Sequence, residues 1–522
     1  MIIILSMKKI LKKSLHLVVS SVWAMAAAAM AFVMAPSQTP WETILAVSIA
    51  GVVAYLWSRY GDFWPLLAVC PLPIGALAVL LAWRLILAAE NLCPHLASSD
   101  SISKLPVALP IFIRFLAAFF LVVTLFWLMS WLWCGLKGYL AELDYFECIF
   151  FGVLAGALVV MLYYVYRMTS GYWASVDVVF SIDSGLVTEL MLPDPTYADL
   201  RHPLYSFLFW PLNVWFNDMA SLTQEPLFAY HLLWGILNTW MLLLIALLLY
   251  RLSGRQRHVA FVYVMTMPVW LFCFFIEKYQ SASLLALLTV TALARYDYRR
   301  ANQWGMAATG CMTSSAPLLL IGLFTRSPRE FSKRLGVLFC SGLGFLAVSG
   351  RLNILLHLSK YWQEVHQFTK IDLTLSERIR CYFNGVYSCL FPLSCWLHEE
   401  HLYWRLVGRD LRLMGVLILI IALLGFIFRY RECAYRLFFT WLIFQPLFFI
   451  VFAWSPLESP LFSLYFSWAI VPLFCAGLYG LFAPFPRLFT ALATLLCFVL
   501  LGLNVEQWLY ILSLMRKLYP VG

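Results

Sequence analysis

The chain has 522 residues, of which 63% are hydrophobic, 17% aromatic and only 12% charged. Soluble domains carry roughly 25% charged residues, so this composition excludes a soluble globular protein and defines a polytopic membrane protein. The net charge of +10 lies in short Lys/Arg clusters between apolar runs, the pattern that sets membrane topology; it points to no nucleic-acid partner.

Met7-Lys-Lys-Ile-Leu-Lys-Lys precedes an apolar run from Leu15 to Ala35. That run is longer than the ~7–15 residues of a signal-peptide core, and Pro36 stands where cleavage would fall. The expectation is an uncleaved first span with a cytoplasmic N-terminus. Further spans are predicted at 41–57, 64–88, 107–133 and 146–166, each near the ~17–25 residues needed to cross. Arg59 and Lys137 then fall inside, Glu90 to Lys104 outside, and Arg167 at the outer end of the 146–166 span.

The most polar sizeable segment of the first two-thirds follows, from Ser175 to Asn213. It holds Asp177, Asp183, Glu189, Asp194 and Asp199, then Arg201-His202-Pro203-Leu204-Tyr205. Leu204 to Phe216 is too short to cross, and its Trp210, Pro211 and Trp215 suit a helix lying in the interface. Spans at 227–250, 259–276 and 279–294 come next. Arg251, Arg255 and Arg257 alternate with Glu277-Lys278 and then with Arg295, Arg299 and Arg300.

Residues 304–324 lie between two basic clusters that both belong inside, so this piece should enter and return, broken at Thr313-Ser-Ser-Ala-Pro317. Non-helical backbone at that depth survives only when packed in protein or lining a cavity. A span at 335–356 leads to a polar outer loop, 357–410, and spans at 411–428, 437–454, 463–482 and 488–510 finish the chain. The fold expected is an all-α polytopic membrane protein of about 13 transmembrane helices with one interfacial helix in an outer loop.

Thirteen Cys are scattered without CxxC or Cys/His metal spacing. Cys381, Cys389 and Cys395 share one loop and could pair outside the cell; packing as small polarizable residues is the simpler reading.

This topology gathers carboxylates (Asp183, Glu277, Glu458) and cations (Arg201, His202, Lys278, Lys360, His398, His401, Arg405) at one membrane surface. A carboxylate there can act as general base on a hydroxyl, and cations can neutralise a phosphate leaving group. Each residue also has a plainer reading. Asp183 before Ser-Gly-Leu-Val can be a helix cap, His202-Pro203 a turn into a helix, and Glu277-Lys278 a solvated pair.

Asp183 in Ile-Asp-Ser-Gly, followed by His202-Pro203-Leu204-Tyr205 and an apolar interfacial segment, resembles the GT-C superfamily of membrane glycosyltransferases. That superfamily includes protein O-mannosyltransferases and lipid-A sugar transferases. The Glu277-Lys278-Tyr279 turn and Leu461-Phe-Ser-Leu-Tyr465 resemble later outer segments of such proteins. The likeness covers 146–510. It departs at Leu204, where a second Pro is usual, and at Asp183-Ser184, where Asp-Glu is usual.

The resemblance implies a core at 146–510 with an outer catalytic loop at 168–217, and residues 1–140 as additional spans. It implies transfer of a sugar from a polyprenyl-phosphate donor to a glycan, lipid or protein acceptor, at the outer face of a bacterial inner membrane. Asp183 would be the base, with Asp177 its nearest rival, and Arg201, His202 and Tyr205 would meet substrate. Topology adds Glu277, Lys278, Lys360 and Glu458 as substrate contacts. The need for a divalent metal is left open. The alternatives are an O-antigen ligase or polymerase, for which the 357–410 loop offers Arg378, Arg380, His398, His401, Arg405 and Arg409, and a transporter or flippase, for which Arg114 is the main mid-span charge.

Overall fold

The computed structural model describes residues 20–31, 40–60, 116–117, 119–120, 123, 142–169, 184–194, 197, 201–323, 327–357, 359, 363, 369, 372–398, 401–404, 411–456 and 459–519. In chain order the helices are α1 (Ser20–Ala31), α2 (Pro40–Tyr60), α3 (Tyr145–Met168), α4 (Tyr205–Ser221), α5 (Pro226–Leu252), α6 (Arg257–Val264), α7 (Met267–Phe272), α8 (Tyr279–Ala294), α9 (Tyr298–Cys311) and α10 (Thr313–Leu323). After them come α11 (Pro328–Val348), α12 (Leu352–Leu356), α13 (Leu375–Ser388), α14 (Arg412–Arg429), α15 (Cys433–Val451), α16 (Ser463–Leu481) and α17 (Pro486–Leu518). One antiparallel hairpin, β1 (Cys395–His398) with β2 (His401–Trp404), pairs Cys395 with Trp404.

Among the described residues seven helices are long and apolar enough to cross a membrane: α3, α5, α11, α14, α15, α16 and α17. The architecture is that of a helical, multi-pass membrane protein. The expected spans at 64–88 and 107–133 fall wholly or largely outside the described residues.

The chain divides into two units. The first takes residues 1–144, 193–215 and 323–361. Its helices pack through small side chains. Ala46 and Ala50 of α2 bury against Ala347 of α11 and Leu352 of α12, and Trp23 of α1 stacks on Phe120 with ring centroids 4.5 Å apart. Small residues let helices approach closely where apolar lipid offers no hydrophobic drive. Glu42, in the first turn of α2, is buried and meets His357 Nε2 at 2.6 Å.

The second unit takes residues 145–192, 216–322 and 362–522. Its centre is α16, every residue of which is buried from Ser463 to Gly477. α14 crosses α16 at Gly425 and Gly477. A Cβ on Gly425 would strike the Leu473 carbonyl, and one on Gly477 the Ile421 carbonyl, so only glycine permits this spacing. α14 and α17 instead turn large apolar side chains outward, among them Leu413, Ile427, Phe498 and Leu509, as lipid-facing helices do.

The apolar run at 259–276 is not one span. It is two short helices, α6 and α7, separated at Met265-Thr266, followed by a non-helical stretch to Lys278. Pro268 supplies the reason: it fits the first turn of a new helix and not the interior of an old one. Thr266 accordingly takes an extended conformation as the N-cap of α7.

α9 returns along α8 after a short turn in which Tyr296 holds a positive φ of 58°. α10 then folds back along α9. A side chain at Gly305 would run into Leu319, and one at Gly322 would touch Asn302, so the two helices are antiparallel. Their tip is the hydroxyl-rich Thr313-Ser314-Ser315 turn.

Candidate functional site

Glu277 and Lys278 stand at the end of the non-helical stretch that opens α8. The sequence suggests a turn at the water boundary, whereas both residues are almost fully buried, at 2% and 1% exposure. Glu277 Oε2 accepts the Lys278 backbone N–H at 3.1 Å, and Lys278 Nζ lies 5.9 Å from the Tyr279 ring centroid. An open solvated pair is therefore excluded.

Unwound backbone can be buried here because side chains satisfy its carbonyls. The Tyr166 hydroxyl donates to the Phe274 carbonyl at 2.5 Å. Asn238 Nδ2 donates to the Phe275 carbonyl at 2.5 Å. Gln280 Nε2 reaches the carbonyls of both Phe272 and Phe275, at 2.8 and 2.9 Å. Each of these carbonyls would otherwise cost free energy inside an apolar interior.

The segment at Leu461–Tyr465 packs directly on this turn. The Tyr279 and Phe462 rings meet edge to face with centroids 5.6 Å apart, and Ser283 donates to the Leu464 carbonyl at 3.5 Å. The Tyr465 hydroxyl shares a hydrogen bond with Ser315 at the tip between α9 and α10. The structure thus joins two segments that the sequence singled out, and adds a third that it treated only as a break.

Arg201, His202 and Tyr205 belong to the first unit. His202 and Tyr205 are buried, at 4% and 1% exposure; the Tyr205 N–H bonds the His202 carbonyl at 3.3 Å, and its ring stacks on Phe209 with centroids 4.8 Å apart. In the same unit Arg351, 1% exposed, donates to the carbonyls of Tyr197 at 2.5 Å and Ser349 at 3.1 Å. Asp177, Asp183, Lys360 and Glu458 lie outside the described residues, as do Arg405 and Arg409.

The 357–410 segment is more ordered than a loop reading implies. α13 begins with a capping box: Glu377 Oε2 accepts from the Thr374 N–H at 2.8 Å and the Thr374 hydroxyl at 2.7 Å, and Thr374 Oγ1 accepts the Glu377 N–H at 3.3 Å. These bonds hold the Glu377 carboxyl below its ordinary range. Arg378 is committed to protein carbonyls, those of Leu373 at 2.9 Å and Ile450 at 3.4 Å. Cys381, Cys389 and Cys395 are free thiols.

Among the described residues no group of three His, Cys, Asp or Glu is placed to hold a metal. Sequence reasoning missed Asn238 and Asn504, each a lone amide within an apolar run, and gave no role to Gln280, in the Glu277–Gln280 turn, or to Ser315, in the break at 313–317. Comparison with family models, curated proteins and solved structures finds no match to the chain.

Proposed function

We propose that this protein is a membrane glycosyltransferase that moves a sugar from a polyprenyl-phosphate donor to an envelope glycan, lipid or protein acceptor, at the outer face of a bacterial inner membrane. The observation that supports this reading most is the burial of Glu277 and Lys278 at one end of α8, under the Leu461–Tyr465 segment. Ionisable groups buried in a membrane protein are costly and by default functional. In this role Lys278 neutralises charge growing on the departing phosphate, and Asp183 takes the acceptor proton.

The test compares envelope glycans by mass for wild type, Asp183→Asn and Lys278→Met at matched membrane abundance. Loss of one defined sugar mass in both variants is expected. An unchanged profile in both defeats the proposal, and a profile lost only with Arg405→Ala moves the assignment to a ligase or polymerase.

One observation favours a second reading, a transporter. Helix breaks at Met265-Thr266, at 273–278 and at Met312 resemble the discontinuous helices that form transporter binding sites. Sugar transfer by the purified protein in detergent separates the two, because a transporter moves its solute without forming a glycosidic bond.

A further inference from the structure

Four helix junctions of the second unit gather at one end of its bundle. The start of α6 meets the start of α17 where the His258 and Phe489 rings pack edge to face, with centroids 4.7 Å apart. Phe489 also meets Tyr479 of α16 at 5.2 Å, and a Cβ on Gly480 of α16 would strike the Phe428 ring of α14. The α5–α6, α14–α15 and α16–α17 junctions therefore share one surface. The α8–α9 junction points the same way. Tyr279 meets Phe462 and Ser283 meets Leu464, so α8 runs beside α16 in the same direction and carries Arg295 towards that end.

This end holds ten arginines and no lysine. Three border the α5–α6 turn, three the α8–α9 turn and three the α14–α15 turn, and Arg487 opens α17. The unit places three carboxylates there, Glu147, Asp297 and Glu432, and each is in an ion pair, with Arg251, Arg300 and Arg429 respectively. Glu142 and Asp144, just before α3, reduce the positive excess without reversing it. Arg295, Arg436 and Arg487 are exposed, and among the described residues none of them is in an ion pair. A topology signal needs only positive charge, which lysine supplies equally well. The guanidinium differs in offering a planar fork of donors that grips two phosphate oxygens at once.

The neighbouring side chains choose between a lipid and a soluble phosphate. Tyr296 follows Arg295, Phe428 and Tyr430 flank Arg429, and Phe485 and Leu488 bracket Arg487; all five of these large side chains are exposed. A partner that covers arginine and ring side by side has to present phosphate and hydrocarbon together, as a phospholipid does at the bilayer interface. Its headgroup has to carry net negative charge to answer the arginine excess.

We infer that this arginine-rich end is a docking surface for anionic phospholipids. Each exposed arginine grips a headgroup phosphate, while the adjoining ring or aliphatic side chain lies against the acyl chains. It is a surface that takes several lipids and not a single pocket. The inference goes beyond the transferase reading and does not depend on it.

The experiment uses the full chain, purified in detergent, stripped of lipid and titrated with phosphatidylglycerol or with phosphatidylcholine of the same acyl chains. Native mass spectrometry counts the lipids retained, and the thermal midpoint reports stabilisation. Phosphatidylglycerol should be retained in preference and raise the midpoint further, and the preference should fall as salt is raised. Arg436→Gln and Arg487→Gln should each weaken the binding of one phosphatidylglycerol about five-fold, and Arg436→Lys and Arg487→Lys by less. Arg516→Gln, at the far end of α17, should leave binding unchanged. Should the glutamine variants fail to insert, the lysine variants, which keep the charge, decide the matter. Equal retention of the two lipids overturns the inference, as does undiminished phosphatidylglycerol binding in the Arg436 and Arg487 variants, or an equal loss in Arg516→Gln. A midpoint raised as far by pyrophosphate as by phosphatidylglycerol overturns the lipid assignment in favour of a soluble phosphate.

Discussion

Asn504 of α17 donates its side-chain amide to the Met265 carbonyl at 2.8 Å, and that carbonyl is one that the break between α6 and α7 leaves outside a helix. The same amide also bonds the Leu500 carbonyl of its own helix at 2.8 Å. One side chain thus joins the last long helix to an interruption of another, within a single unit.

Asn504→Leu should therefore destabilise the protein without touching the buried Glu277-Lys278 turn. Leaving the Met265 carbonyl unsatisfied costs about 1–3 kcal/mol. The check is a lowered thermal midpoint in detergent. A midpoint equal to wild type would mean that another donor replaces Asn504.

Glu147 and Arg251 form a buried pair at the start of α3 and the end of α5. Arg251 Nε and Nη2 contact the two carboxylate oxygens at 2.5 and 3.1 Å, and Glu147 is fully buried. Removing one partner strands the other charge, so Glu147→Leu or Arg251→Leu alone should cost about 3–5 kcal/mol. The double variant Glu147→Leu with Arg251→Leu should recover most of that loss, because desolvation of both charges is removed as well. Unfolding of the two single variants and the double variant measures the coupling.

These contacts show what a sequence can and cannot disclose here. α16 was legible almost to the residue, because an apolar run of the right length between polar ends has one solution in a membrane; the bounds of α8 were legible too, but at 16 residues it is not among the helices long enough to cross. The break at Met265-Thr266 was hidden because hydropathy reports burial, not helicity; Met267-Pro268 was its only sign. Glu277 and Lys278 read as a surface turn for a related reason. The carbonyl partners that let the turn be buried, Tyr166, Asn238 and Gln280, come from three different helices, and no local pattern joins them. His202 and Tyr205 were legible as a turn leading into a helix, but their burial depends on packing that spacing alone does not specify.

α13 carries a pH-dependent end. The Thr374 bonds hold the Glu377 carboxyl below its ordinary value, so the unfolded end binds its proton more readily than the capped end does. The stabilisation is fully present above the ordinary carboxylate range and is lost as pH falls through the lowered folded value. Amide exchange at 375–378, corrected for the intrinsic pH dependence of exchange, should accelerate over that window. Glu377→Gln should flatten the response while keeping part of the protection, since glutamine can still accept from Thr374.

The α14–α16 crossing offers the sharpest contrast between glycines that matter and one that does not. Gly425 and Gly477 face the backbone carbonyls of Leu473 and Ile421, so a methyl group at either position has to push the helices apart. Overpacking of this kind typically costs about 1–3 kcal/mol. It also shifts α16, whose first turn carries Ser463 and Tyr465. Gly502, on the exposed face of α17, has nothing within 4 Å of where a Cβ would sit. Gly502→Ala should instead gain about 0.5–1 kcal/mol from reduced backbone entropy in the unfolded chain. Gly425→Ala and Gly477→Ala are expected to lower the thermal midpoint and Gly502→Ala to raise it slightly. Equal midpoints for all three would show that the crossing relaxes at no cost and that glycine is not required there.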